Sequence, residues 1–188
     1  GRENITTTYN LDFRHDFNSE GEKLELEIDH NSLKGSEETA FDVQTETSAI
    51  EYVDDLTNNR TNLTVNLDYT KPISKNVKLE LGAETRQQDI QNRYQTTNEN
   101  FLDGSYIFTR DIHSAYGNLS KRVQDWFFQV GARFEDYSIV GDFNQEGNIN
   151  ENETDHIFTV YPSAFITYTP KKNGAKNSYN LSYSRRVD

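Results

Sequence analysis

The chain contains no cysteine. That excludes a disulfide framework, a thiol nucleophile and a Cys-ligated metal site. It has no uninterrupted apolar run of about 18 residues, which excludes a transmembrane helix. Positive charge is scarce: 19 Lys and Arg stand against 31 Asp and Glu, a formal net charge of −12. A chain of that sign has no general attraction for phosphate backbones, so no nucleic-acid partner is expected. Hydrophobic residues make up only 33%, and mean hydropathy is −0.90. Without order in their placement, that composition would read as disorder. The chain opens Gly1-Arg2-Glu3-Asn4, with no initiator Met and no basic-then-apolar start, so no secretory leader is read in it.

Against these absences stand 11 Tyr and 11 Phe in a chain of 188 residues, one domain's worth. They sit in period-two alternations, which predicts an all-β antiparallel fold of about eight strands. Over 5–17, Ile5, Tyr9, Leu11 and Phe13 share one face and Thr6, Asn10, Asp12 and Arg14 the other. Over 23–30, Leu24, Leu26 and Ile28 alternate with Glu25, Glu27 and Asp29. The same pattern predicts strands over 62–70, 77–85, 126–136 and 178–186. Two segments are less regular. In the fifth, Tyr106, Phe108 and Ile112 have one parity and Ala115, Gly117 and Leu119 the other, so a bulge near Ser114 is expected. In the seventh both faces are partly apolar, and Pro162 predicts a bulge or a sheet edge.

Alternation alone does not separate a soluble sandwich from a membrane barrel. The connections discriminate better. Short turns (18–22, 71–76, 120–125, 170–177) alternate strictly with long polar stretches (31–61, 87–104, 138–156). In an up-and-down meander this puts every short turn at one end and every long loop at the other, as in outer-membrane barrels. The apolar faces of strands one to four and six carry no Lys or Arg. Arg110 and Arg185 share parity with aromatic faces and break the rule.

Few residues suggest chemistry. Asp142-Phe143-Asn144-Gln145-Glu146-Gly147-Asn148-Ile149-Asn150-Glu151-Asn152-Glu153 matches the twelve-residue EF-hand calcium loop. Asp142, Asn144 and Glu146 hold its first, third and fifth positions, Asn148 its seventh and Glu153 its twelfth. Calcium is therefore the one candidate cofactor; it is weighed against a solvated Asn/Glu-rich loop with no flanking helices to hold the geometry. His15, His30, His113 and His156 show no zinc spacing. Glu25 and Glu27 resemble a carboxylate pair but read better as wetted wall. Tyr69, Trp126, Tyr137 and Tyr168 are expected to form an interfacial aromatic girdle.

Several stretches together carry a family resemblance. These are Leu67 to Gly82 with its Lys71-Pro72 turn, Ile112 to Ser120 followed by Phe127 to Glu135, Tyr161-Pro162-Ser163-Ala164, and Leu181 to Arg186. In order, they resemble the barrel of TonB-dependent outer-membrane receptors, specifically the outer-membrane-protein β-barrel family. The resemblance implies that residues 1–188 are a partial barrel domain, a segment of a larger transmembrane β-barrel without its plug domain. It implies localisation in the bacterial outer membrane and uptake of a large nutrient (metal chelate, glycan or peptide). It implies three partners: outer-membrane lipid, the TonB system acting through parts outside this segment, and the nutrient ligand. No catalytic role is expected, and the segment alone is expected either to curl closed on its own apolar face or to self-associate through its open edges. Two other readings compete. One is a soluble eight-strand binding module or calcium-dependent adhesin, closed around an apolar interior. The other is a hydrolase barrel, which needs a Ser-His or His-Asp pair on facing strands.

Overall fold

Residues 1–44, 48–145, 149–170 and 177–185 are described in the computed structural model, and none is helical. The strands are β1 (Arg2–Asp16), β2 (Lys23–Gln44), β3 (Ala49–Ser74), β4 (Val77–Thr96), β5 (Gly104–Val123), β6 (Trp126–Gln145), β7 (Ile149–Tyr168) and β8 (Tyr179–Ser184). They form one sheet in chain order, each antiparallel to the next. β1 and β8 are its edges, so the sheet is open. The closed soluble module is thereby excluded for these strands.

Local chemistry explains the hairpins. Gly21 supplies a φ of +79° in the β1–β2 turn, a conformation that costs glycine nothing. Phe17 N donates to Glu22 O at 2.9 Å across that turn. β5 and β6 are joined by Gln124-Asp125 alone, and Gln124 takes a φ of 53°, as tight two-residue hairpins demand.

Register puts like with like. One row of direct partners reads Phe13, Leu26, Leu67, Ala83, Ala115, Phe134, Val160. The next row, on the opposite face, reads Asp12, Glu27, Asn66, Glu84, Ser114, Glu135, Thr159. The apolar face lies open: Leu181 is 70% exposed, Val130 56% and Phe13 50%. The only buried hydrophobic side chain among the described residues is Ile112. A sheet with no interior and so much bare apolar surface would be a severe liability in water. Acyl chains remove that liability. The apolar side is accordingly the outer face and the polar side the inner face.

The strands run far past the predicted segments. The stretch 31–61 is mostly β2 and β3 extended as a paired hairpin, not a loop. β4 to β7 each have 20 residues. At ~3.3 Å per residue and a tilt of about 45°, they rise roughly 45 Å, against an apolar band about 25 Å tall. Nearly half of each strand therefore stands beyond the bilayer, at the end away from the short turns.

The faces exchange character there. On the outer face, apolar residues give way to Gln87, Asp89, Asp111 and Ser138. On the inner face, charge gives way to Leu56, Ile90, Tyr94, Tyr106, Phe108, Ile139 and Phe143. This corrects the bulge expected near Ser114: β5 pairs without register shift on both sides. Its change of parity is an exchange of faces. Arg110 then lies on the inner face and meets no lipid. Of the two outcomes expected at Pro162, the edge is the one found: β7 stays in register with β6, and Pro162 sits just beyond the last β7–β8 pair. Among the described residues, the one register shift lies between Pro72 and Ser74.

Candidate functional site

The inner face within the bilayer zone is a continuous polar network. Arg133 Nη2 contacts Glu84 Oε2 at 2.5 Å and Arg133 Nε contacts Glu135 Oε2 at 3.2 Å. Arg86 Nε closes on the other oxygen of Glu84 at 2.7 Å. The Glu84 and Glu135 side chains are each only 20% exposed, so these ion pairs are partly desolvated and matter more than surface pairs. Tyr116 reaches two strands across to donate its hydroxyl to Asp68. Its path exists because Gly82 lies between them: a Cβ there would overlap the Tyr116 ring. Asn118 lies over Gly131 in the same way. Towards β1 the wall continues with Arg14–Asp16 at 2.8 Å and Lys23–Glu25 at 2.6 Å. Glu25 is thus a salt-bridged wall residue, as its sequence neighbourhood suggested.

At the short-turn end, Tyr69 donates to Glu22 Oε1 at 2.5 Å, and Lys71 Nζ approaches the same oxygen at 3.6 Å. The Tyr69 hydrogen bond holds the Glu22 carboxyl below its ordinary value. Three of the four expected girdle residues lie on the outer face near this rim. Trp126 stacks on Tyr168 at 4.5 Å, and Tyr168 on Tyr179 at 6.3 Å. Tyr137 is corrected: it pairs with Ile112 on the inner face.

Above the bilayer zone the inner face forms an apolar hollow of about 370 Å³. Leu56, Tyr94, Phe101, Leu102, Tyr106 and Phe143 line it. The sequence reading missed this feature. The signal was the aromatic parity of Tyr106 and Phe108, which was assigned to a bulge.

The residues of the expected calcium loop fall differently. Asp142 and Asn144 lie on β6 and Glu153 on β7, while Glu146 and Asn148 lie outside the described residues. Asp142 faces Asn152, which donates to it, and Glu153 faces Gly141. Strand pairing therefore sends the first and twelfth positions to opposite faces. Among the described residues, no three His, Cys, Asp or Glu side chains group as a metal site would require.

One His-Asp pair escaped the sequence reading. His156 Nε2 meets Asp136 Oδ1 at 2.7 Å on the outer face, with side chains 61% and 44% exposed. Ser138 lies opposite His156 in the β6–β7 register.

Comparison with known proteins places this geometry. The model of the outer membrane protein beta-barrel family matches residues 15–188. No curated protein matches the chain. Among solved structures, the ferric yersiniabactin uptake receptor FyuA from Yersinia pestis superposes with a TM-score of 0.65 at 12% identity, over 91% of this chain and 27% of that one. The siderophore receptor PiuA from Acinetobacter baumannii gives 0.64 at 16% identity, over 97% and 32%. The ferric-catecholate import receptor Fiu from E. coli K12, in its open form, gives 0.63 at 12% identity, over 97% and 35%. The chain thus spans about a third of the length of these structures, and at such identity the likeness is one of fold.

Proposed function

This chain belongs to the outer membrane protein beta-barrel family of the bacterial outer membrane, and from that premise we propose that it is wall of a TonB-dependent receptor. In this reading the receptor takes up a nutrient too large for a porin: a metal chelate, a glycan or a peptide. The observation that carries the proposal is the double exchange of faces along β3 to β6. An apolar outer band for lipid is backed by a polar inner wall. Above it, a polar outer surface is backed by an apolar inner hollow. A wall that only spans a membrane needs the first pair of faces; a wall that also receives a solute from outside has use for the second.

The partly buried Arg133–Glu84–Glu135 network suits a barrel filled by another part of the receptor, because paired charges can face polar protein without an uncompensated group. Energy from TonB would reach the solute through that filling part.

The test is genetic. The gene encoding this chain is deleted in its host, and growth is compared on limiting ferric chelates, oligosaccharides and oligopeptides as sole sources. A growth defect on one class, copied by inactivating TonB, is expected. Equal growth of the deletion strain on all three classes would overturn the proposal.

A further inference from the structure

We propose that the apolar hollow under the β4–β5 loop is a ligand subsite for a cationic solute bearing an aromatic or branched apolar group. This rests on the receptor reading above and adds the class of ligand. Three observations carry it.

The hollow is built, not incidental. Phe101 and Leu102 sit in the β4–β5 loop, 58% and 50% exposed. The loop that carries them is pinned to β3. Thr97 N donates to Val53 O at 3.0 Å, Val53 N returns a bond to Thr97 Oγ1 at 2.8 Å, and Thr96 Oγ1 donates to Asp54 at 2.6 Å. Asp103 accepts from Thr96 N at 2.9 Å and closes the loop on itself. Two large apolar side chains are thus held ready, and a ligand meeting them pays little ordering entropy. The volume, about 370 Å³, suits one ring system with its substituents.

The hollow also holds one unanswered acceptor. Asn92 lines it, and the Asn92 side-chain oxygen is buried with no hydrogen-bond partner. A buried acceptor left unpaired is costly, and an N–H donor on the ligand would relieve it.

Charge sets the sign of that donor. Segments 31–61, 87–104 and 138–156 hold fifteen acidic and three basic residues, so they carry the whole net charge of −12; sixteen acids and sixteen bases balance elsewhere. A second hollow shares Leu56 with the first, and its wall includes Glu37, Glu38 and Asp55 beside Arg2. Arg93 is the single cation lining the apolar hollow itself. A mouth with such a field concentrates cations and repels anions.

The experiment uses the full-length receptor in lipid nanodiscs, with empty nanodiscs subtracting membrane partition. The probes are one ring with three charges: naphthylmethylammonium, naphthylmethanol and naphthoate, followed by their fluorescence. At low ionic strength the ammonium should bind about tenfold more tightly than the carboxylate, and added salt should shrink the ratio. Phe101→Ser with Tyr106→Ser should weaken all three probes. Asn92→Leu should weaken the ammonium and the alcohol and spare the carboxylate. Naphthoate binding as tightly as the ammonium, or binding indifferent to the double variant, overturns the subsite. Growth that depends on the receptor together with charge-blind probe binding removes the subsite and leaves the receptor reading. Probe binding that follows the variants, without any nutrient requiring the receptor, does the reverse.

Discussion

Gly82 is kept small by a neighbour's reach. Tyr116 crosses it to bond Asp68, joining β3 to β5 over the top of β4. The three residues lie far apart in the chain and none has a distinctive local pattern, so only the pairing of strands could bring them to notice. Gly82→Ala should displace the ring and leave the Asp68 carboxylate short of a donor, at a cost of about 1–3 kcal/mol. Tyr116→Phe keeps the ring over the glycine and removes only the hydroxyl, so its cost should be smaller. Urea unfolding of the full-length barrel in lipid would rank them; equal costs would mean that the hydroxyl, not the fit over Gly82, dominates. Arg133 works at the same scale, since two carboxylates from β4 and β6 converge on one guanidinium.

At the scale of the strand, the lower halves were legible and the upper halves were not. Within the bilayer zone one face must be apolar and the other wet, so period two appears in β1 to β4 and β6 without ambiguity. Beyond it the outer face no longer needs lipid contact and the inner face gains apolar residues. The pattern in β5 then inverts, and period-two reasoning reads an inversion as a slip of register. In 31–61 Asn, Thr and acids occupy both faces, so no period-two pattern marks the strands; backbone pairing joins them, with Phe41 stacked on Tyr52 across the pair at 4.7 Å. Within 142–153, where the twelve-residue spacing describes a loop, Asp142 to Gln145 and Ile149 to Glu153 are paired strand. The boundary itself is testable. Val130→Arg, on the outer face of β6, should cost about 2–4 kcal/mol at mid-bilayer. Gln129→Arg, one residue away on the inner face, should cost far less. Folding yield into vesicles ranks the two, and a lower yield for Gln129→Arg than for Val130→Arg would mean that the faces are assigned the wrong way round.

The whole molecule is a wall without a room. It has two edges and one buried hydrophobic side chain among its described residues, and its stability must come from lipid on one side and protein or water on the other. The stretches 31–61, 87–104 and 138–156 read as loops and are mostly strand. Eight strands and their order could be read from composition and spacing, because each follows from the chemistry of one residue and its near neighbours. The mouth could not, because it is assembled from β3, β4, β5 and β6 together. The overshoot of the strands has a practical corollary. Native thiols are absent from this chain, so a single engineered one would be reported without background from it. Thr57→Cys, high on β3, should react on intact cells with a maleimide that does not cross membranes, whereas Leu67→Cys, ten residues lower on the same face, should stay silent until detergent is added. A string of such positions along β3 would act as a depth gauge, marking on living bacteria the waterline at which this wall emerges.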